Sequence, residues 1–213
     1  NITGGEPFLR KDLNDIVALL RTKADRIVIS TSGWYTDKVI ALAKKYPDIG
    51  VRVSIEGLSE VNDQLRGRKG GFDRSIPTLT ELHRLGLKDI GFGQTLSDQN
   101  AYDLVPLYEP ARWMKMEFAT AVLHNSFYFH KSDNDIVDKE KVIDNLLKLI
   151  QRQLEENSSK SWFRAYFNLG LINYIKGNKR MLACEAGSVN FFINKNPHDS
   201  RNLLSNIDNS VTI

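Results

Sequence analysis

Apolar residues recur along this chain in two alternating rhythms. Short β-branched or apolar runs begin near Ile2, Ile27, Val51, Ile90 and Met114, at spacings of 25, 24, 39 and 24 residues. A strand, a turn, a helix of about two to four turns and a second turn fill such a length, so each interval reads as one βα unit. Between the runs, Leu13-Ile16-Val17-Leu20 and Val39-Ile40-Leu42-Ala43 have helical spacing. A third helix covers Thr78 to Leu85 and is closed by Gly86; a fourth runs from Ala101 to Tyr108 and ends at Pro110. Parallel strands with right-handed crossovers follow. Periodicity leaves an open doubly wound sheet and an incomplete barrel equally possible.

The strand faces favour the barrel. In Val51-Arg52-Val53-Ser54-Ile55-Glu56 the period of two sets Arg52, Ser54 and Glu56 on one side. Met114-Lys115-Met116-Glu117-Phe118 alternates likewise, with Lys115 and Glu117 on its polar side and Lys115 in mid-strand. Strands buried on both faces read as continuous apolar runs, so two successive polar faces point to a wet lumen. On the fifth strand Gly91 and Gly93 share a face, where either a ligand or a neighbouring backbone comes close. Beyond the strands, Val142-Ile143-Leu146-Leu147-Leu149-Ile150 marks an amphipathic helix from Lys139 to Glu156. A second helix spans Ser161 to Lys176 and ends at Gly177-Asn178; a hairpin follows over Ser188 to Asn194.

Composition narrows the class. With 41% hydrophobic residues the 213-residue chain can bury a real core, and its net charge of +3 gives no reason to expect nucleic acid or an anionic membrane as partner. No apolar run reaches the roughly 20 residues of a membrane-spanning helix. A single cysteine, Cys184, excludes an internal disulfide and suits a reducing, cytoplasmic setting. It equally excludes a multi-cysteine metal site built from this chain alone. His83 reads as solvated, and His124 and His130 are not at zinc-finger spacing. Gly67-Arg68-Lys69-Gly70-Gly71 lacks the P-loop pattern. His124 and Glu117 stand at or beyond the C-terminal end of a strand, where barrel sites form.

The chemistry-bearing stretch is Thr3-Gly4-Gly5-Glu6-Pro7, directly after one strand and before a helix. Two glycines permit a tight turn with close approach to a ligand, and exposed carbonyls beside a carboxylate suit an ammonium group. Asn62-Asp63-Gln64-Leu65-Arg66-Gly67, followed by Gly71-Phe72-Asp73, reads as a loop in which Arg66 can offer a forked pair of donors to a carboxylate.

These segments in this order resemble the radical S-adenosylmethionine (radical SAM) enzymes. Ile2 to Leu9 looks like that family's second strand and its GGEP turn. Ile27 to Gly33 resembles the third strand, with Ser32 where Asn is common, and Val51 to Gly57 the fourth, with Glu56 where Asp is common. The resemblance implies an α/β fold: a partial parallel (βα) barrel with five of six strands present, then a C-terminal helical and hairpin extension. It divides the chain into residues 1–131 (core barrel), 132–195 (helical extension and hairpin) and 196–213 (irregular tail). It implies S-adenosylmethionine as cofactor, held by Gly4, Gly5, Glu6, Pro7, Ser32, Ser54, Glu56 and Arg66. Glu6's turn would take the methionyl amino group and Arg66 the carboxylate. A [4Fe–4S] cluster would cleave the cofactor reductively to a 5′-deoxyadenosyl radical. The substrate would be a peptide or small molecule, and the electron donor a flavodoxin or ferredoxin.

Phe163 to Phe167, and Cys184-Glu185-Ala186-Gly187-Ser188 onward, look like the start of a SPASM-type extension, in which Cys184 would ligate an auxiliary cluster. Two departures stand against the pattern: no CxxxCxxC loop occurs, and no further cysteine follows Cys184. Because the chain begins at Asn1 and already in a strand, the expectation is a preceding segment that carries the first strand and the cysteine loop, which leaves this chain alone inactive. Two rivals explain the same residues. One is a non-radical α/β-barrel enzyme; the other is a degenerate barrel that binds without catalysing.

Overall fold

Four strands form one parallel sheet in the computed structural model, which describes residues 1–125, 132–179 and 181. They are β1 (Val28–Thr31), β2 (Gly50–Ser54), β3 (Ile90–Leu96) and β4 (Glu117–Val122), and they lie in sequence order, all parallel. Helices α1 (Leu13–Leu20), α2 (Thr36–Lys45), α3 (Ser59–Arg66), α4 (Gly71–Arg84) and α5 (Leu104–Trp113) fill the connections; α6 (Lys139–Leu154) and α7 (Ser159–Ile175) follow β4. Neighbouring strands in chain order, each returning through helices, make the curved α/β layer of a partial parallel barrel. The chain divides into two units, Asn1–Lys179 and Arg180–Ile213, and every element named lies in the first.

The register gives the sheet two unlike faces. On one, Ile29, Val51, Val53, Ile90, Phe92 and Phe118 join Val39, Ile40, Leu79, Leu82, Leu107 and Tyr108 from α2, α4 and α5 in the core. Tyr108 meets Phe118 edge-on at 5.5 Å, an arrangement that aromatic quadrupoles favour. The other face carries Ser30, Ser54, Gly93, Thr95 and Ala119, all half-buried, and exposed Ala121. Small side chains there leave a shallow bed, the lumen side of the barrel.

Several sequence expectations are corrected. Ile2 does not start a full strand: it makes a single parallel bridge to Ile29, its N–H donating to the Val28 carbonyl at 2.7 Å and its carbonyl accepting from the Ser30 N–H at 2.9 Å. Gly4 follows two residues later, so the pairing has no room to extend. Pro110 does not end its helix. The Met114 N–H reaches the Pro110 carbonyl at 3.0 Å, and burial of Leu107, Tyr108 and Ala111 holds α5 together to Trp113 despite the missing donor.

Lys115 is not in mid-strand. With φ 55° it occupies the left-handed position that ends α5, where the Met116 N–H closes back on the Ala111 carbonyl at 2.8 Å. The strand therefore starts at Glu117, which stands at its N-terminal end and not, as its sequence position implied, near the C-terminal end. Burial pushes the Glu117 carboxyl up, but Lys160 and Arg164 of α7 more than offset this and hold it below the usual range. Arg52 does not line a wet lumen either. Only 8% exposed, it donates to the Val51 and Asp89 carbonyls and to the Asp89 carboxylate at 2.6 Å, forming a floor. Finally, Asn62 to Asp73 is mostly helical: α3 covers Asn62 to Arg66, and α4 begins at Gly71, earlier than the helix expected from Thr78. His130, Cys184 and the expected hairpin over Ser188 to Asn194 lie outside the described residues.

Candidate cofactor cleft

The site is built where β1 and β2 end. After the Ile2 bridge the chain turns through Gly4, at φ +142°, and Pro7 opens a single 3-10 turn, Pro7–Leu9, with Glu6 as its N-cap. The Glu6 carboxylate accepts four hydrogen bonds. One oxygen takes the Phe8 N–H at 3.2 Å and the Thr31 hydroxyl at 2.8 Å; the other takes the Ser32 N–H at 2.8 Å and the Ser32 hydroxyl at 2.5 Å. Glu6 thus ties the glycine turn to the end of β1. In the same turn, no donor among the described residues reaches the Gly4 or Gly5 carbonyl. A Cβ built on either glycine would meet nothing within 4 Å, so no neighbouring side chain packs onto the turn there.

The opposite wall comes from α3 and the start of α4. Asp63 accepts from the N–H groups of Gly70 and Phe72, the latter at 3.0 Å, and these bonds, Phe72's foremost, hold its carboxyl below the usual range. Asn62, 1% exposed, accepts from the Glu56 N–H at 2.9 Å. Together they fix the link that carries Arg66 and Arg68. Asn62 and Asp63 were not singled out as functional residues from sequence; the available signal was an Asn-Asp pair a short distance ahead of the Gly70-Gly71 helix start. Ser75 adds a brace from α4, donating to the Ser32 carbonyl at 2.8 Å.

Gly5, Glu6, Ser32, Ser54 and Arg66 line one cleft of about 210 Å³, together with Trp34, Asn62, Arg68 and Ser75. Gly4 and Pro7 flank the lining residues of the turn. Glu56 joins the cleft through Arg66, whose Nη1 lies 3.4 Å from its carboxylate, and accepts from the Thr95 N–H at 2.7 Å. Burial pushes the Glu56 carboxyl up; the Thr95 N–H and Arg66 only partly offset this. Seven of the eight residues expected around the cofactor thus lie in or beside one cleft, and the eighth, Glu56, is one ion pair away. His124 is turned to its own strand, its Nδ1 3.0 Å from the Val122 carbonyl. A larger hollow of about 470 Å³ between α5 and α6 contains none of the expected residues.

Comparison with known proteins decides the family. Residues 1–105 match the model of the radical SAM superfamily. This part of the chain belongs to the radical SAM superfamily. The Fe-coproporphyrin III synthase of Methanosarcina barkeri is 39% identical over 110 residues, which are 50% of this chain and 27% of that protein. The sporulation killing factor maturation protein SkfB of Bacillus subtilis is 29% identical over 109 residues, 51% of this chain and 26% of that protein. The mycofactocin maturase MftC of Mycolicibacterium smegmatis is 33% identical over 106 residues, 49% of this chain and 27% of that protein. A solved structure of native anSMEcpe with bound AdoMet and Cp18Cys peptide shares the fold with a TM-score of 0.50 at 14% identity, over 84% of this chain and 48% of that one. The chain therefore spans about a quarter of the length of these curated relatives.

The superfamily's cofactors are S-adenosylmethionine and a [4Fe–4S] cluster. The cleft fits the first: the glycine turn, whose carbonyls take no donor among the described residues, stands on one wall and the Arg66 guanidinium on the other, the acceptors and donors that an amino acid's two charged ends require. The residues present do not fit the second. A cluster of this type takes cysteine thiolates, and the sequence has one cysteine.

Proposed function

We propose that this chain is the S-adenosylmethionine-binding part of a radical SAM enzyme that modifies a peptide or a small-molecule cofactor. The observation that supports this most is the single cleft lined by Gly5, Glu6, Ser32, Ser54 and Arg66. The Gly4 and Gly5 carbonyls receive the methionyl ammonium, Arg66 receives the carboxylate, and Ser54 and Glu56 stand beside the ribose. Glu6 acts by bracing the turn, since its own lone pairs are filled by Thr31, Ser32 and Phe8. The adenosyl end lies along the bed of Gly93, Thr95 and Ala119.

A cluster would need the thiolates of a CxxxCxxC loop that this sequence does not contain; bound, it would supply one electron for reductive cleavage of the cofactor, with a flavodoxin- or ferredoxin-type protein as the donor. Cys184, which lies outside the described residues, would be one ligand of an auxiliary cluster whose other ligands this chain does not supply. The substrate is a tetrapyrrole or a peptide, as the names of the coproporphyrin synthase and of SkfB indicate for those proteins, and the reaction takes place in the cytoplasm.

A test needs the protein with its cysteine loop. Purified without oxygen, reconstituted with iron and sulfide, and reduced with dithionite, it is expected to convert S-adenosylmethionine to 5′-deoxyadenosine and methionine. A protein that shows the cluster's absorbance but yields no 5′-deoxyadenosine would place the chain among non-catalytic binders.

A further inference from the structure

Beside the cofactor cleft, Trp34 carries two positive charges. The guanidinium carbon of Arg68 lies 3.2 Å from the centroid of the indole, over its face, and that of Arg74 lies at 5.5 Å. Tryptophan is the strongest aromatic partner for a cation, and a guanidinium held over a ring keeps its N–H donors unspent. Among the described residues neither guanidinium pairs with a carboxylate or donates to an acceptor.

The acids nearby are committed elsewhere. Glu6 is filled by Thr31, Ser32 and Phe8, Glu56 faces Arg66, and Asp63 caps the start of α4. Two like charges on one ring repel each other, and an anion between them relieves that repulsion. The arrangement is also fixed from below. Trp34 follows Ser32 and Gly33, whose carbonyls accept from Ser75 and Thr78 of α4, while Arg68 donates its N–H to the Asp63 carbonyl at 3.0 Å. Both guanidiniums are thus presented at a defined place, one of them lining the cleft itself.

We propose that Arg68 and Arg74, held over Trp34 at the rim of the cofactor cleft, bind a carboxylate of the substrate. The proposal deepens the functional reading and rests on it in one respect: the substrate must reach the mouth of this cleft. A carboxylate suits the pair because its two oxygens can accept from separate guanidiniums, and the exposed rim leaves room for the rest of a larger molecule.

The 213-residue chain itself can be tested. Titration with coproporphyrin III, a tetracarboxylate, with its neutral tetramethyl ester, and with a labelled hexaglutamate peptide separates the sources of the carboxylate. The Arg68→Gln/Arg74→Gln double variant is expected to bind the responding anion about tenfold more weakly. Its affinity for the ester and its unfolding midpoint should stay unchanged, because both side chains are exposed. Trp34→Leu should weaken the same anion about threefold, with Trp34→Phe closer to the wild type, since a smaller ring still holds a cation.

A response to the porphyrin alone assigns the rim to a small planar acid, and a response to the peptide alone assigns it to acidic side chains; either supports the proposal. Equal affinity of wild type and double variant for both anions, no binding of either by the wild type, or an equal loss for the ester would overturn it. S-adenosylmethionine titrated into the same preparations keeps the two readings apart. An Arg74→Gln single variant, which leaves the cleft lining intact, should bind it normally while still weakening the anion, and a wild type that binds the anion through these arginines but not the cofactor retains the subsite and removes the cofactor reading.

Discussion

Replacing Gly91 by alanine is expected to destabilise the protein by about 3 kcal/mol, at the upper end of the cost of overpacking. A Cβ at that position would lie 2.1 Å from the Glu117 carbonyl oxygen and 2.5 Å from its Cβ. The obstacle is backbone of the neighbouring strand, so a rotamer change cannot relieve it. Strand β4 would have to move away from β3 at the pair Gly91–Glu117, where Glu117 is also held by Lys160 and Arg164. Gly93→Ala supplies the control. It lies on the same strand and the same face, yet a Cβ there meets nothing within 4 Å. Denaturant unfolding should show a large drop for the first variant and a change within about 0.5 kcal/mol for the second. Equal effects would mean that β3 and β4 do not approach as described.

Asp89→Ala should cost a similar amount, about 3 kcal/mol, because it removes the carboxylate that faces Arg52 in the floor of the barrel and leaves that buried guanidinium without its counter-charge. Asp89 is shared: Arg26 grips it at 2.7 and 2.9 Å from the surface, and Arg52 at 2.6 Å from within. The Arg26 hydrogen bonds, with Arg52 adding to them against the opposing effect of burial, draw its carboxyl from 3.8 down to about 2.

A carboxyl whose folded pKa is depressed stabilises the fold above its unfolded pKa and loses that contribution as pH falls through the folded one. Stability should therefore decline between about pH 4 and pH 2 by roughly 1–2 kcal/mol from this group, after discounting for its partial solvent exposure. Asp89→Asn should remove that part of the acid dependence. Its persistence at full size in the variant would assign the acid sensitivity to other carboxylates.

The paired glycines show what the sequence could and could not convey. Both were expected to mark close approach of either a ligand or a backbone, and the two answers differ by position: Gly91 meets β4, whereas Gly93 opens onto the lumen. Only the register with β4 separates them. The four strands and the two C-terminal helices were legible because their periods are long and regular. The ends were not, since they depend on local closures that carry no typical residue. Lys115 stands in a left-handed position usually held by glycine, and Pro110 sits inside a helix held by its buried face.

Within the cleft, residue types announced Gly4, Gly5 and Arg66, because a tight turn and a forked donor each need a particular side chain. The inward turn of Glu6 onto Thr31 and Ser32 was hidden, as was the floor made by Arg52 and Asp89. Both are contacts between segments more than 20 residues apart, which no local pattern records.

The central claim is that the cleft between the glycine turn and Arg66 holds the methionyl end of S-adenosylmethionine. Isothermal titration of this cofactor into the chain and into Arg66→Ala tests it most directly. The account predicts measurable binding by the wild type and a loss of about 1.5 kcal/mol in the variant, the scale of one charge-assisted hydrogen bond at a partly exposed site. Both proteins should remain folded at the titration temperature, the variant with a midpoint lowered by no more than the loss of the Arg66–Glu56 ion pair. Absence of binding by the wild type, or equal affinity in the variant, would contradict it.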